Sequence, residues 1–191
     1  MVFHDHSVGE RHIYWGKNRI IDKKVKHFYG HYIVQCILAT GTILVILIFL
    51  DVLKETAIIS ALGASTFIIF TMPKSYSSEP RRLLGGYGVS MGFGLLCFFI
   101  SQHPLLQQGF PTVTSIFIVF GALAFGGSFF IMALTNTEHP PAAGIALGLV
   151  INPWTLMTLV AIIAAVLWMA GIRRFLYPYL MDLTSPHLFK R

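Results

Sequence analysis

Charge is what this chain has least of. Asp, Glu, Lys and Arg make up 12% of its 191 residues, hydrophobic residues 55%, and the mean hydropathy is +0.70. That scarcity excludes a soluble globular domain and points to an integral membrane protein. Long polar runs are also missing. The longest is the N-terminal tail, and a segment of about thirty residues is too short to bury a useful core alone, so no separate soluble catalytic domain is expected. The first apolar run begins near His31, and the stretch before it carries acids, so neither a cleavable signal peptide nor a transit peptide is expected there. Cysteine is nearly absent. Cys36 and Cys97 both lie in apolar runs, which reads as packing and not as a disulfide or a metal pair.

What is there is a series of apolar stretches, at 31–50, 57–72, 84–101, 112–134 and 154–172, with a shorter piece, AAGIALGLVI, at 142–151. A crossing helix needs roughly 17–25 apolar residues, and ten helical residues rise only about 15 Å, so 142–151 crosses only if the TNTEHPP before it fills the rest of the path. Lys and Arg are dense in the tail (Arg11, Lys17, Arg19, Lys23, Lys24, Lys26), return at Lys74, Arg81 and Arg82, and return again at Arg173, Arg174, Lys190 and Arg191. The 102–111 loop has none. By the positive-inside rule both termini and the 73–83 loop are cytoplasmic, which requires an even number of crossings and favours six over five. The expected fold is therefore an all-α membrane bundle of five to six crossings. It comprises a basic tail at 1–30, a transmembrane domain at 31–175 and a short C-terminal tail at 176–191.

Residues 133–144, ALTNTEHPPAAG, interrupt this apolar pattern. Polar groups at membrane depth are expensive, and the default reading of such a break is a functional site. His139 and Pro140 each precede a proline and are pushed toward extended backbone, while Pro141 suits the first helical position. A half-helix starting there would offer the amides of Ala142, Ala143 and Gly144 to an anion. In the first half of the chain, Gly63 relaxes the backbone and Ser65 reads as an N-cap for 66–72, presenting amides around Thr66. A plain small-residue packing face explains GAS equally. ALGAST at 61–66 aligns weakly with ALTNTE at 133–138, which permits a 3+3 inverted repeat with two interrupted helices meeting near the midplane, as in transporters.

The combination GAST at 63–66, EPRRLLGG at 79–86 and TNTEHPPAAG at 135–144 resembles the HPP family of integral membrane proteins, named for its His-Pro-Pro tripeptide. The resemblance covers roughly 30–175. It implies a small multi-spanning protein, in some members fused to soluble regulatory domains, with nitrite transport associated with photosynthetic members.

On this reading the function is membrane transport of a small inorganic anion, nitrite first, with nitrate, formate or chloride as other cargoes. The anion would be held by Ser65, Asn136, Thr137 and His139 and by the backbone around Thr66, Ala142, Ala143 and Gly144. Glu138 would carry a coupled proton, since a carboxyl beside an imidazole at membrane depth is suited to proton exchange. Arg81 and Arg82 would form an electropositive entrance, although they also serve as cytoplasmic anchors. Gly88 with Gly92, and Gly144 with Gly148, have the spacing of close helix packing. The tail residues Tyr14, Ile21, Val25 and Phe28 follow the spacing of an interfacial helix. His4, Asp5, His6 and His12 read as a solvated tail and not as a metal site. No cofactor, metal or nucleic acid is expected; the partners are the anion, membrane lipid and further copies of the chain. The membrane is expected to be a bacterial-type plasma membrane. An intramembrane enzyme is the alternative, but an activated nucleophile or an H-E-x-x-H set is not visible in the sequence. A structural or regulatory membrane subunit is a third reading and leaves the polar break unexplained.

Overall fold

A computed structural model describes residues 23–50 and 56–183. The His4–His12 cluster, Tyr14 and Ile21 of the expected interfacial helix, and the chain beyond residue 183 lie outside the described residues. Those described form seven α-helices: α1 (Lys23–Leu50), α2 (Thr56–Thr71), α3 (Pro80–Ser101), the short α4 (Pro104–Gln108), α5 (Val113–Thr135), α6 (Pro140–Ile151) and α7 (Leu156–Leu176), with a single 3-10 turn at Tyr76–Ser78. The protein is a helical membrane protein. Helices α3, α5 and α7 are long and apolar enough to cross a bilayer; 30–46, 57–71 and 140–151 are shorter apolar helices.

Local chemistry sets the helix ends. Pro80 and Pro140 occupy first-turn positions, where a missing N–H removes no helical bond. Capping boxes start α5 and α7: Ser115 N donates to Thr112 Oγ1 (3.1 Å) and Thr112 N to Ser115 Oγ (3.2 Å), and Thr155 and Thr158 repeat the arrangement. Helix α5 stops at Asn136, whose backbone is left-handed (φ 56°, ψ 44°); Thr137 N reaches back to Met132 O (3.0 Å), closing the helix in the manner usually given to glycine.

The helices run back and forth between two ends. At one end, Tyr32 Oη donates to Leu183 O (2.9 Å), Gln35 Nε2 to Phe70 O (2.7 Å) and Met181 O (2.9 Å), and Arg173 Nη2 to Pro73 O (3.1 Å). Tyr32 and Gln35 of α1, the 73–79 connection and the residues after α7 therefore meet there. At the other end Trp154 stacks edge-on against Phe98 and Phe99, centroids 5.2 and 6.2 Å apart, and Ile58 lies beside Gly148.

Helix α6 lies in the middle, packed against α2, α3 and α5. Ala142, Ala143, Ile145, Ala146, Gly148, Leu149 and Val150 are all buried, so the helix is covered on nearly every side, leaving only Pro140, Pro141, Gly144, Leu147 and Ile151 partly open. Close approach depends on small residues. A Cβ at Gly94 of α3 would come within 2.8 Å of Ala146 Cα, and one at Gly86 within 2.8 Å of His139 Cβ. Gly144 and Gly148 pack on α2 as their spacing predicts, whereas Gly88 and Gly92 have nothing within 4 Å.

Two expectations are corrected here. Helix α2 is continuous through Gly63 and Ser65, so its predicted interruption is absent. Ser65 is no N-cap: its hydroxyl reaches back to Ala61 O at 3.0 Å, the usual resting place of a mid-helix serine. ALGAST thus lies inside a helix while ALTNTE spans a helix end, and the aligned segments of the two halves differ in conformation.

Candidate functional site

The His-Pro-Pro break leads α5 into α6 and places His139 as the residue capping α6. Its ring is wholly buried. Nδ1 lies 2.8 Å from Ser77 O and Nε2 lies 2.7 Å from Ser65 Oγ. A carbonyl only accepts, so Nδ1 carries the hydrogen; in the neutral ring Nε2 is then an acceptor for the Ser65 hydroxyl. Ser65 Oγ is also 2.8 Å from Tyr87 Oη, so with the Ser65 hydrogen given to Nε2 the Tyr87 hydroxyl is the donor to Ser65, and Ala61 O, 3.0 and 3.2 Å from the two hydroxyls, is a competing acceptor. Ser65 and Tyr87 are both buried, so the break, α2, α3 and the 73–79 turn are joined by one enclosed polar network.

The depth of this network follows from helix rise. Ser65 is six residues from the end of α2, and Gly86, beside His139, is six residues from the start of α3, which at 1.5 Å per residue puts both about 9 Å inside the same end of the bundle. The site is thus about two turns in from the end where the 73–79 connection lies.

A charged layer sits outside it. Arg82, only 5% exposed, donates from Nη1 to Glu138 Oε2 (2.6 Å), from Nη2 to Asn136 Oδ1 (3.0 Å) and from Nε to Glu79 Oε2 (3.3 Å). Its guanidinium lies over the Tyr76 ring, and Tyr76 Oη bonds Asn136 Oδ1 and also Glu138 Oε2, the latter at 3.3 Å. The left-handed backbone at Asn136 and the ion pair at Glu138 fix the break from both sides.

The sequence-predicted residues are distributed unevenly. Ser65 and His139 meet directly; Asn136 and Glu138 meet through Arg82. Thr66, next to Ser65 on a continuous helix, faces α7 instead, donating to Leu62 O (2.9 Å) and Met169 Sδ (3.5 Å). Thr137 bonds Thr135, hydroxyl to hydroxyl, at 2.8 Å. The amide cradle expected at Ala142–Gly144 loses the first of its donors. Helix α6 starts one residue earlier than read, at Pro140, so its first two positions have no N–H, and Ala142 N is taken by His139 O (2.9 Å). Arg81 is exposed, while Arg82 points inward to two carboxylates and is no open entrance.

The family model described as HPP, transmembrane region, matches residues 25–176. The chain belongs to the HPP family. No curated protein and no solved structure matches it. Four residues of this HPP protein's site went unrecognised in the sequence reading: Tyr76, Ser77, Glu79 and Tyr87. Tyr87 had a signal, being the one bulky polar residue of the glycine-rich run GGYG, where a large side chain between glycines has to fill the space they leave. Ser77 contributes only a carbonyl, which side-chain patterns do not reveal.

Proposed function

We propose that this HPP protein is a transporter for a small inorganic anion, nitrite first, crossing a bacterial-type plasma membrane six times with both termini cytoplasmic. The observation that carries the reading is the enclosed Ser65–Tyr87–His139 network behind a buried arginine, in a bundle whose core is mostly apolar. Groups of this kind are costly in a membrane and are typically kept for substrate or ion handling. The up-and-down course of the helices supports six crossings, with α6, about 18 Å long at 1.5 Å per residue, completed by the extended residues before it. The family resemblance supplies nitrite. The binding region is moved from the backbone amides first expected to the side chains of Arg82, Asn136 and His139.

One observation favours the enzyme reading enough to weigh it. Ser65 Oγ against His139 Nε2, with Nδ1 anchored on a carbonyl, has the geometry of a nucleophile and its base. But the hydroxyl is buried and already engaged by Tyr87, and the prolines of α6 remove the amides that would stabilise an oxyanion. Transport remains the better account.

The test is reconstitution of the purified protein in liposomes, with flux of nitrite, nitrate, formate and chloride measured with and without a pH gradient. Selective nitrite flux supports the proposal; no flux of any anion sinks it. Labelling of Ser65 by a fluorophosphonate, blocked in His139→Ala, would favour the enzyme.

A further inference from the structure

The Arg82–Glu138 pair lies directly beside the buried His139, Glu138 being its neighbour in the chain. We propose that Glu138 occupies the anion's own place on Arg82, and that protonation of Glu138 exchanges its carboxylate for the anion. This rests on the transport reading and specifies how its site works.

The guanidinium is buried, and a buried guanidinium requires an anionic partner. Of its three oxygen partners Glu138 is the nearest, at 2.6 Å, against 3.0 Å for Asn136 and 3.3 Å for Glu79. A carboxylate and nitrite are both bent, planar monoanions with two terminal oxygens. A planar fork of N–H donors that grips one is therefore shaped for the other. The side chain of Glu138 is 34% exposed where that of Arg82 is 6%, so water reaches the carboxylate while the guanidinium stays enclosed.

Charge fixes the stoichiometry. Arg82, Glu79 and Glu138 sum to one net negative charge, which Arg173, within electrostatic reach of Glu79, offsets; what an added monoanion meets is the Glu138 carboxylate already seated on Arg82. A monoanion added to that cluster would face repulsion. If Glu138 first takes a proton from water, forming an O–H bond, the monoanion replaces the lost charge and the sum is unchanged. When the anion leaves, the proton returns to water and Glu138 closes on Arg82 again. Anion and proton therefore bind together, one to one, each strengthening the other by the same factor.

The other charged and titratable groups around the pair do not take this part. On α3, Glu79 lies further from Arg82 and Arg81 faces outward; on the turn, Tyr76 covers the guanidinium and Lys74 is exposed. His139 turns away toward Ser65 and Ser77, and Tyr87 lies behind it. Arg173 of α7 is held by Pro73 O and Ser78 Oγ and acts on Glu79, not on Glu138. From α5, Asn136 meets the pair without a titrating group, and α2 brings only Ser65.

The experiment is nitrite binding to the purified full-length protein in nanodiscs, by calorimetry, at neutral and mildly acidic pH. Wild type should bind more tightly as pH falls, approaching about tenfold per pH unit, the limit for one linked proton. Glu138→Gln, which keeps the shape but not the charge, should bind at both pH values with equal affinity, and Arg82→Lys should lose most binding at both. A Glu138→Gln protein that keeps the wild-type pH dependence, or that folds but no longer binds, overturns the inference. Wild type that binds nitrite with the expected pH dependence yet carries none across liposomes overturns the transport reading alone.

Discussion

His139 is the residue whose surroundings differ most from what an extended loop between helices would provide. Fully buried and bonded at both ring nitrogens, it ties α2, the 73–79 turn and α6 together, so it is a packing residue as well as a site residue. His139→Ala should therefore lower stability in detergent, by roughly 1–3 kcal/mol, because the Ser77 carbonyl loses the ring nitrogen that bonds it and the Ser65 hydroxyl keeps only Tyr87 and Ala61 O. A thermal unfolding scan checks this; an unchanged midpoint would mean that the network is not closed as described. The two neighbouring arginines should separate by salt. Arg81 is exposed, and its field is screened within about 8 Å at physiological ionic strength, so Arg81→Gln should reduce liposome flux only in dilute buffer. Arg82 is enclosed, and loss of flux in Arg82→Gln should be independent of salt. Sequence reading singled out Asn136, Glu138 and His139 because polar residues stand out in an apolar chain. It could not assign their partners, since Tyr76, Glu79 and Arg82 sit more than fifty residues away and look like ordinary loop and anchor residues.

At the scale of the helices, the spans were legible because apolar length is a strong signal: every apolar run found in the sequence coincides with a helix to within a few residues, apart from the longer reach of α1 toward Lys23. The local conformation of α2 was not legible. GAST contains both a helix-relaxing glycine and a good capping serine, yet the helix continues because burial against α6 and α1 outweighs those local preferences. The α3–α6 contact supplies a paired test. Gly94→Ala would drive a methyl into the backbone of Ala146, which cannot move aside as a side chain would, and should cost about 1–3 kcal/mol. Gly92→Ala, two residues away with nothing within 4 Å, should leave the unfolding midpoint unchanged or slightly raised. Equal effects of the two would mean that α3 and α6 are not in contact at Gly94.

For the whole molecule, the proposed topology places the 102–111 connection outside and both termini inside. A cysteine introduced at Gln107, in a chain whose own cysteines are replaced, should react with a membrane-impermeant reagent in intact cells, and one placed at the C-terminus should not. External labelling of the C-terminus would instead indicate five crossings. The central position of α6 has a consequence for biogenesis. At twelve residues it is shorter than the roughly 17–25 that hold a helix across a bilayer unaided, and nearly every side of it is covered by protein and not by lipid. It therefore has little reason to leave the insertion machinery for lipid until α2, α3 and α5 are there to receive it, and it is made after all of them. The His-Pro-Pro site is accordingly completed late in synthesis, and a nascent chain arrested before α6 has inserted would hold an anchored bundle with its centre still empty.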